Sequence, residues 1–225
     1  MATHAESVSG GGAQQDALER LVSWAKANPR TATWPAVILV LGGLLFWWNL
    51  ASSRTSERVA SAALNAARVA FENSNYPLAA SELSQITANY SGTSAAQEAS
   101  LLLAHARILQ GQPQQAVDLL SKFAPSAARP YQAQAYDLLG DALENMGRPG
   151  DAGVAFHNAA DHAAYAFLQG QYLVDAGRAF TEAGDTAQAV AAFQQIVSGM
   201  DSTSYIVEAK VRLGELTRGA WKAPQ

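Results

Sequence analysis

The chain has 225 residues, with 15 lysines and arginines against 19 aspartates and glutamates, a formal net charge of −4 and no cysteine. An acidic balance without a basic cluster argues against nucleic-acid binding. Lack of cysteine removes disulfide frameworks, thiolate zinc sites and thiol nucleophiles. The length accommodates one membrane segment and one soluble domain with a real core.

Residues 1–13, which hold most of SVSGGGAQQ, a glycine-rich run without apolar periodicity, read as a disordered tail. In DALERLVSWAKANP, Leu18, Leu21, Val22 and Ala25 recur at helical spacing. Residues 14–30 therefore predict an amphipathic helix lying against a membrane surface, with Trp24 at the interface and Pro29 near its end. No charge occurs between Arg30 and Arg54, and at ~1.5 Å per residue that stretch reaches past a ~30 Å hydrocarbon core. Val37, Ile38, Leu39, Val40, Leu41, Leu44, Leu45 and Phe46 cover every face of such a helix. Trp34 at one end and Trp47 with Trp48 at the other suit the headgroup layers, so residues 31–53 predict a transmembrane helix. The long lead-in and the poor cleavage site at Asn49-Leu50-Ala51-Ser52 argue against a removable leader. Arg20, Lys26 and Arg30 on one flank tie with Arg54, Arg58 and Arg68 on the other. Charge alone thus leaves the topology open, with the remainder of the chain on either side.

Residues 54–225 carry a repeat. In AYDLLGDALENMGRPGDAGVAFHNAA, Tyr136, Leu139, Gly140 and Leu143 share one helical face, Gly147 and Pro149 mark a turn, and Ala152, Phe156 and Ala159 form a facing stripe. Small Gly140 and Ala152 let two antiparallel helices approach, with Tyr136 and Phe156 filling the gaps on either side. About 37 residues later the pattern returns in Leu173, Ala176, Gly177, Phe180, Gly184, Ala189, Phe193 and Ile196. About 36 residues earlier it reads Leu103, Ala104, Gly111, Ala116, Leu120 and Phe123, and a weaker copy holds Ala67, Ala70, Tyr76, Ala79, Leu83 and Ile86. Leu213 and Gly214 mark a final helix. The expected fold is all-α, a helical-hairpin solenoid of four hairpins plus a closing helix.

Catalytic chemistry finds little support. His157 and His162 flank Asp161, but five-residue spacing does not put two histidines on one helical face for a shared metal. His105 is isolated, and no Ser-His-Asp set or phosphate-cradling glycine loop occurs. Neither an enzyme, a cofactor nor a metal is expected.

Tyr136-x2-Leu139-Gly140-x2-Leu143 followed by Ala152-x3-Phe156 resembles the tetratricopeptide repeat, with Tyr136 in the place of its tryptophan and Leu143 in that of its tyrosine. The period is slightly longer than the usual 34 residues or so, the first copy lacks the turn glycine, and the terminal prolines are placed unevenly. Over its whole length, with the tail helix, the tryptophan-ended apolar segment and SERVASAALNAARVAFENSNY leading into alanine-rich repeats, the chain resembles the bacterial YfgM-like proteins. That resemblance implies a single-pass inner-membrane protein with a cytoplasmic tail and periplasmic repeats. It also implies association with the SecYEG translocon and with periplasmic chaperones such as PpiD. Stacked hairpins leave a concave face lined by their first helices, which in the resembling family takes up extended peptides or partner segments. Residues expected on it are Leu64, Arg68 and Phe71, then Leu101, His105 and Ile108, then Asp137, Asp141 and Glu144, then Val174 and Arg178. The groove would be apolar towards the N-terminal repeats and acidic further along. The combined lysine, arginine and asparagine pattern of a two-carboxylate clamp is missing from it. The expected function is a membrane-anchored protein-protein interaction module, an accessory to the translocon and its chaperones that holds client polypeptides. The alternative is a structural subunit or assembly scaffold of another membrane complex.

Overall fold

The computed structural model describes residues 29–199 and 204–219, with side chains for all of these except 29–40, 45, 46, 49–51 and 204. Among the described residues there are nine α-helices, one 3-10 turn and no strand. They are α1 (Pro29–Glu72), α2 (Tyr76–Asn89), α3 (Ser94–Leu109), α4 (Pro113–Phe123) with the 3-10 turn Ala124–Ser126, α5 (Arg129–Asn145), α6 (Pro149–His162), α7 (Ala166–Glu182), α8 (Thr186–Gly199) and α9 (Ser204–Leu216). Contacts divide the chain into Met1–Arg54 and Thr55–Gln225.

In the first unit, Leu41, Leu44, Trp47 and Trp48 are exposed. Among the described residues no helix is long and apolar enough to cross a membrane. Most side chains of the apolar run Trp34–Ala51 lie outside the described residues, as do the tail 1–13 and the segment 14–28 with Leu18, Leu21, Val22 and Trp24. Pro29 is the first residue of α1, a position where its missing N–H costs nothing.

The second unit is a run of hairpins: the end of α1 with α2, α3 with α4, α5 with α6 and α7 with α8, closed by α9. The end of α1 shares a core with α2 and α3. From α2 onward each helix packs on the next, and α3 also meets α5. The turns share one geometry. Ser74, Gly111, Gly147 and Gly184 occupy the left-handed region at φ 59°, 69°, 68° and 78°. The following N–H reaches back to the carbonyl five residues earlier, as in Gln112 to Arg107 at 2.8 Å and Asp185 to Phe180 at 2.9 Å, which ends each first helix in a Schellman motif. Ser74 therefore stands where the other hairpins have glycine, and Asn73–Asn75 make the turn that the sequence leaves unmarked. Pro113 and Pro149 then open the second helices, since a fixed φ suits the first helical position.

The hairpin core is a fixed register of small against large. Ala67, Ala104, Gly140 and Gly177 recur at spacings of 37, 36 and 37 residues on the first helices, and Leu83, Leu120, Phe156 and Phe193 at the same spacings on the second. The alanines, leucines and phenylalanines among them are at most 2% exposed. The two series co-vary: alanine belongs with leucine in the first two hairpins, glycine with phenylalanine in the last two. A Cβ on Gly140 would lie 2.4 Å from the Phe156 ring, and one on Gly177 2.5 Å from that of Phe193. Phe156 thus lies directly over Gly140, not beside it. Half-buried Tyr136 turns instead to His162, with ring centroids 5.3 Å apart. Ala152 and Ala189 are fully buried on the second helices, Leu139 is only half-buried, and Leu138 takes the core position. Hairpins join by the same device, because a Cβ on Gly153 of α6 would meet the Phe180 ring of α7 at 2.7 Å.

Side chains of one hairpin also cap the next. The Glu57 carboxylate of α1 accepts from the N–H groups of Ser94 at 2.9 Å and Ala95 at 3.0 Å, beside the Thr93 hydroxyl that accepts from Ala96 at 3.1 Å. Gln97 of α3 likewise accepts from the Ala128 N–H at 2.7 Å, just ahead of α5. A carboxylate at a helix N-terminus satisfies orphan donors and complements the helix dipole. Changing Glu57 to alanine is expected to cost about 1 kcal/mol, read as a lower midpoint in denaturant unfolding. An unchanged midpoint would mean that water replaces the cap without loss.

Candidate peptide-binding face

Outward positions of the first helices repeat with the same spacings of 37, 36 and 37 residues. Arg68, His105, Asp141 and Arg178 are equivalent, as are Leu64, Leu101, Asp137 and Val174, and Phe71, Ile108 and Glu144. The second set corrects the sequence-derived groove. Leu64 and Leu101 are 4% exposed and Val174 6%, each inside a core cluster. Alanine-rich helices lie close together, so the contact stripe is wide and these three side chains are used in packing. Ile108 is half-buried against the same core. What remains open at the N-terminal end is half-buried Phe71, its ring 5.3 Å from that of His105 and 5.4 Å from that of Tyr76. Arg68 next to it pairs with Glu98 of α3.

At the C-terminal end the row is acidic. Asp137, Asp141 and Glu144 of α5 face Asp175 of α7, and all four carboxyls titrate above the ordinary carboxylate range. Burial is the largest cause in each, opposed at Asp141 by His105 and at Asp141, Glu144 and Asp175 by Arg178. Asp137 is pushed furthest, to about 7, by burial and then by Asp141 and Asp175. Its register explains why: the other three hairpins put a buried aliphatic side chain there, so this carboxylate occupies a core position. The Tyr172 hydroxyl beneath is pushed up to about 12 by burial and by the same aspartates. Arg178, bonded to Asp175 at 2.8 Å, is the guanidinium within the group.

The row therefore runs α1, α3, α5, α7 and brings together Phe71, His105, Asp141, Asp137, Glu144 and Arg178. Sequence reasoning missed Asp175 and Tyr172, although Asp175 lies three residues before Arg178 and so on the same face. Carboxylates kept charged against their environment gain from an added cation. A lysine or arginine on a docked segment supplies one, and Phe71 offers an apolar contact beyond. Elsewhere, His157 lies 3.5 Å from Asp161 and His162 bonds the Asn158 carbonyl at 2.8 Å. Among the described residues no group of three or more side chains could hold a metal ion.

No curated protein matches the chain. A crystal structure of nearly identical TPR-like repeats from a Podosopora anserina putative kinesin light chain is similar at 18% identity and TM-score 0.55, over 73% of this chain and 87% of that one. A crystal structure of a glutamine-to-methionine variant of the same repeats is similar at 17% identity, TM-score 0.55 and the same coverages. At such identities the likeness is one of fold. The family model described as a tetratricopeptide repeat matches residues 171–198. The model described as a tetratricopeptide repeat-like domain matches residues 50–172, more than half of the sequence, and the chain belongs to that family.

Proposed function

We propose that this protein is a membrane-anchored interaction module, held in a bacterial inner membrane by residues 31–53 with its repeats on the periplasmic side. There it serves as an accessory to the Sec translocon and periplasmic chaperones. Tetratricopeptide repeats are protein-protein interaction modules, and the observation that carries the reading is the first-helix row in which Asp137 stands where the first two hairpins have core leucines, with Asp141, Glu144 and Asp175 around it. The preferred segment is extended, carries lysine or arginine for Asp137, Asp141, Glu144 and Asp175, and places an apolar residue at Phe71. Such a face suits clients that bind weakly and variously. The anchor is supported by the charge-free stretch between Arg30 and Arg54 and by the whole-chain resemblance.

Affinity purification after mild solubilisation, read by mass spectrometry, is expected to recover translocon subunits together with chaperones. Recovery of one stoichiometric complex of another kind would overturn the accessory role and favour the scaffold. Protease added to spheroplasts is expected to digest the repeats and spare a small tail fragment. Protection in spheroplasts with digestion in inverted vesicles would reverse the topology.

A further inference from the structure

The last hairpin and the closing helix leave a cleft of ≈ 270 Å³ between α7, α8 and α9, lined by Arg178, Thr181, Glu182, Arg212, Glu215 and Leu216 over a floor of Phe193. Three features of the chain point to what fills it. First, α9 ends in two successive left-handed residues, Arg218 at φ 52° and Gly219 at φ 78°, with the Gly219 N–H bonded to the Gly214 carbonyl at 2.9 Å. A comparable left-handed ending follows α3, α5 and α7, where the chain folds back into the next helix. Second, Trp221 follows two residues later and lies five residues beyond Leu216, a reach of about 17 Å in extended chain. Third, the charges match. Arg212 is bonded to Glu215 at 3.1 Å and Arg178 to Asp175 at 2.8 Å, but Glu182 has no ion-pair partner among the described residues. Lys222 directly follows the tryptophan.

We propose that residues 220–225 dock into this cleft, with Trp221 against Leu216 between the stems of Arg178 and Arg212, and Lys222 beside Glu182. An indole ring between two guanidinium groups combines apolar contact with cation–π attraction. The docked ring would also hold Arg178 next to the carboxylates of the binding face.

The cysteine-free sequence permits a clean test on the full chain. Cysteines replace Ala223 together with Thr181 in the cleft, or Ala223 together with Val211, which is exposed, does not line the cleft and is nearer the tail along the chain. Docking predicts that the Thr181→Cys, Ala223→Cys pair forms an intramolecular disulfide several-fold faster than the Val211→Cys, Ala223→Cys pair. Adding Trp221→Ala is expected to abolish that preference. Equal rates, faster closure at Val211→Cys, a preference that survives Trp221→Ala, or disulfides formed only between chains would each overturn the proposal. The last outcome would assign the cleft to a second copy.

Discussion

Changing Gly140 to alanine is expected to destabilise the repeat domain, although alanine is the better helix former. The propensity gain is about 1 kcal/mol, whereas the new methyl would lie 2.4–2.7 Å from three atoms of a Phe156 ring that is 2% exposed. A boxed ring cannot swing away, so overpacking of about 1–3 kcal/mol wins, and Gly140→Leu exceeds it. Phe156→Leu alone should lose about 1–2 kcal/mol, less than the about 3–5 kcal/mol of a truncation to alanine. Combined, Gly140→Ala and Phe156→Leu recreate the alanine–leucine pairing of Ala67 with Leu83 and Ala104 with Leu120. The double variant should therefore lose less than the sum of the singles, by a coupling of about 1–2 kcal/mol. Denaturant midpoints of the four proteins measure it. Additive losses would show that the register assigned to the third hairpin is wrong.

Changing Asp137 to leucine is expected to do the opposite and stabilise the protein at neutral and alkaline pH. A carboxyl raised from 3.8 to about 7 binds more protons in the folded than in the unfolded state between those values. Stability consequently falls as pH rises from about 4 to 7 and stays low above it. Three units at about 1.4 kcal/mol each set a ceiling near 4 kcal/mol, and water at the open face lowers this to about 1–2 kcal/mol. Leucine fits the register, because Leu64 and Leu101 occupy it in the first two hairpins. The gain at pH 8 should shrink at pH 4.5, where wild-type Asp137 is already protonated. The raised carboxyls of Asp141, Glu144 and Asp175 act in the same direction, so the wild type itself should strengthen on acidification from pH 8 to 5. A leucine variant no more stable than wild type at pH 8 would show that Asp137 is not held in a costly ionised state.

Hairpin order and register were legible in the sequence because Gly111, Gly147 and Gly184 punctuate it and because Ala152 with Phe156 and Ala189 with Phe193 repeat at one spacing. The open face was less so. Leu64, Leu101 and Val174 are apolar positions just off the packing stripe, and helical spacing alone does not say how wide a stripe closely packed alanine helices need. Aligning the four copies position by position decides it, since Asp137 then falls among three aliphatic residues. The links between hairpins, such as Glu57 to the start of α3 and Gly153 under Phe180, stayed hidden because nothing in a single repeat specifies which neighbour it meets.

A carboxylate group that weakens the fold at neutral pH is what a binding face retains when a partner supplies the missing charge. The most direct test places a photo-crosslinking residue, one position at a time, at His105 or Glu144 on the first-helix row and at exposed Gln195 on the second helix α8. Irradiation is expected to capture partner polypeptide from His105 and Glu144, with yields that fall as salt is raised, and little from Gln195. Capture from Gln195 with none from the other two would contradict the assignment of the first-helix row as the binding face.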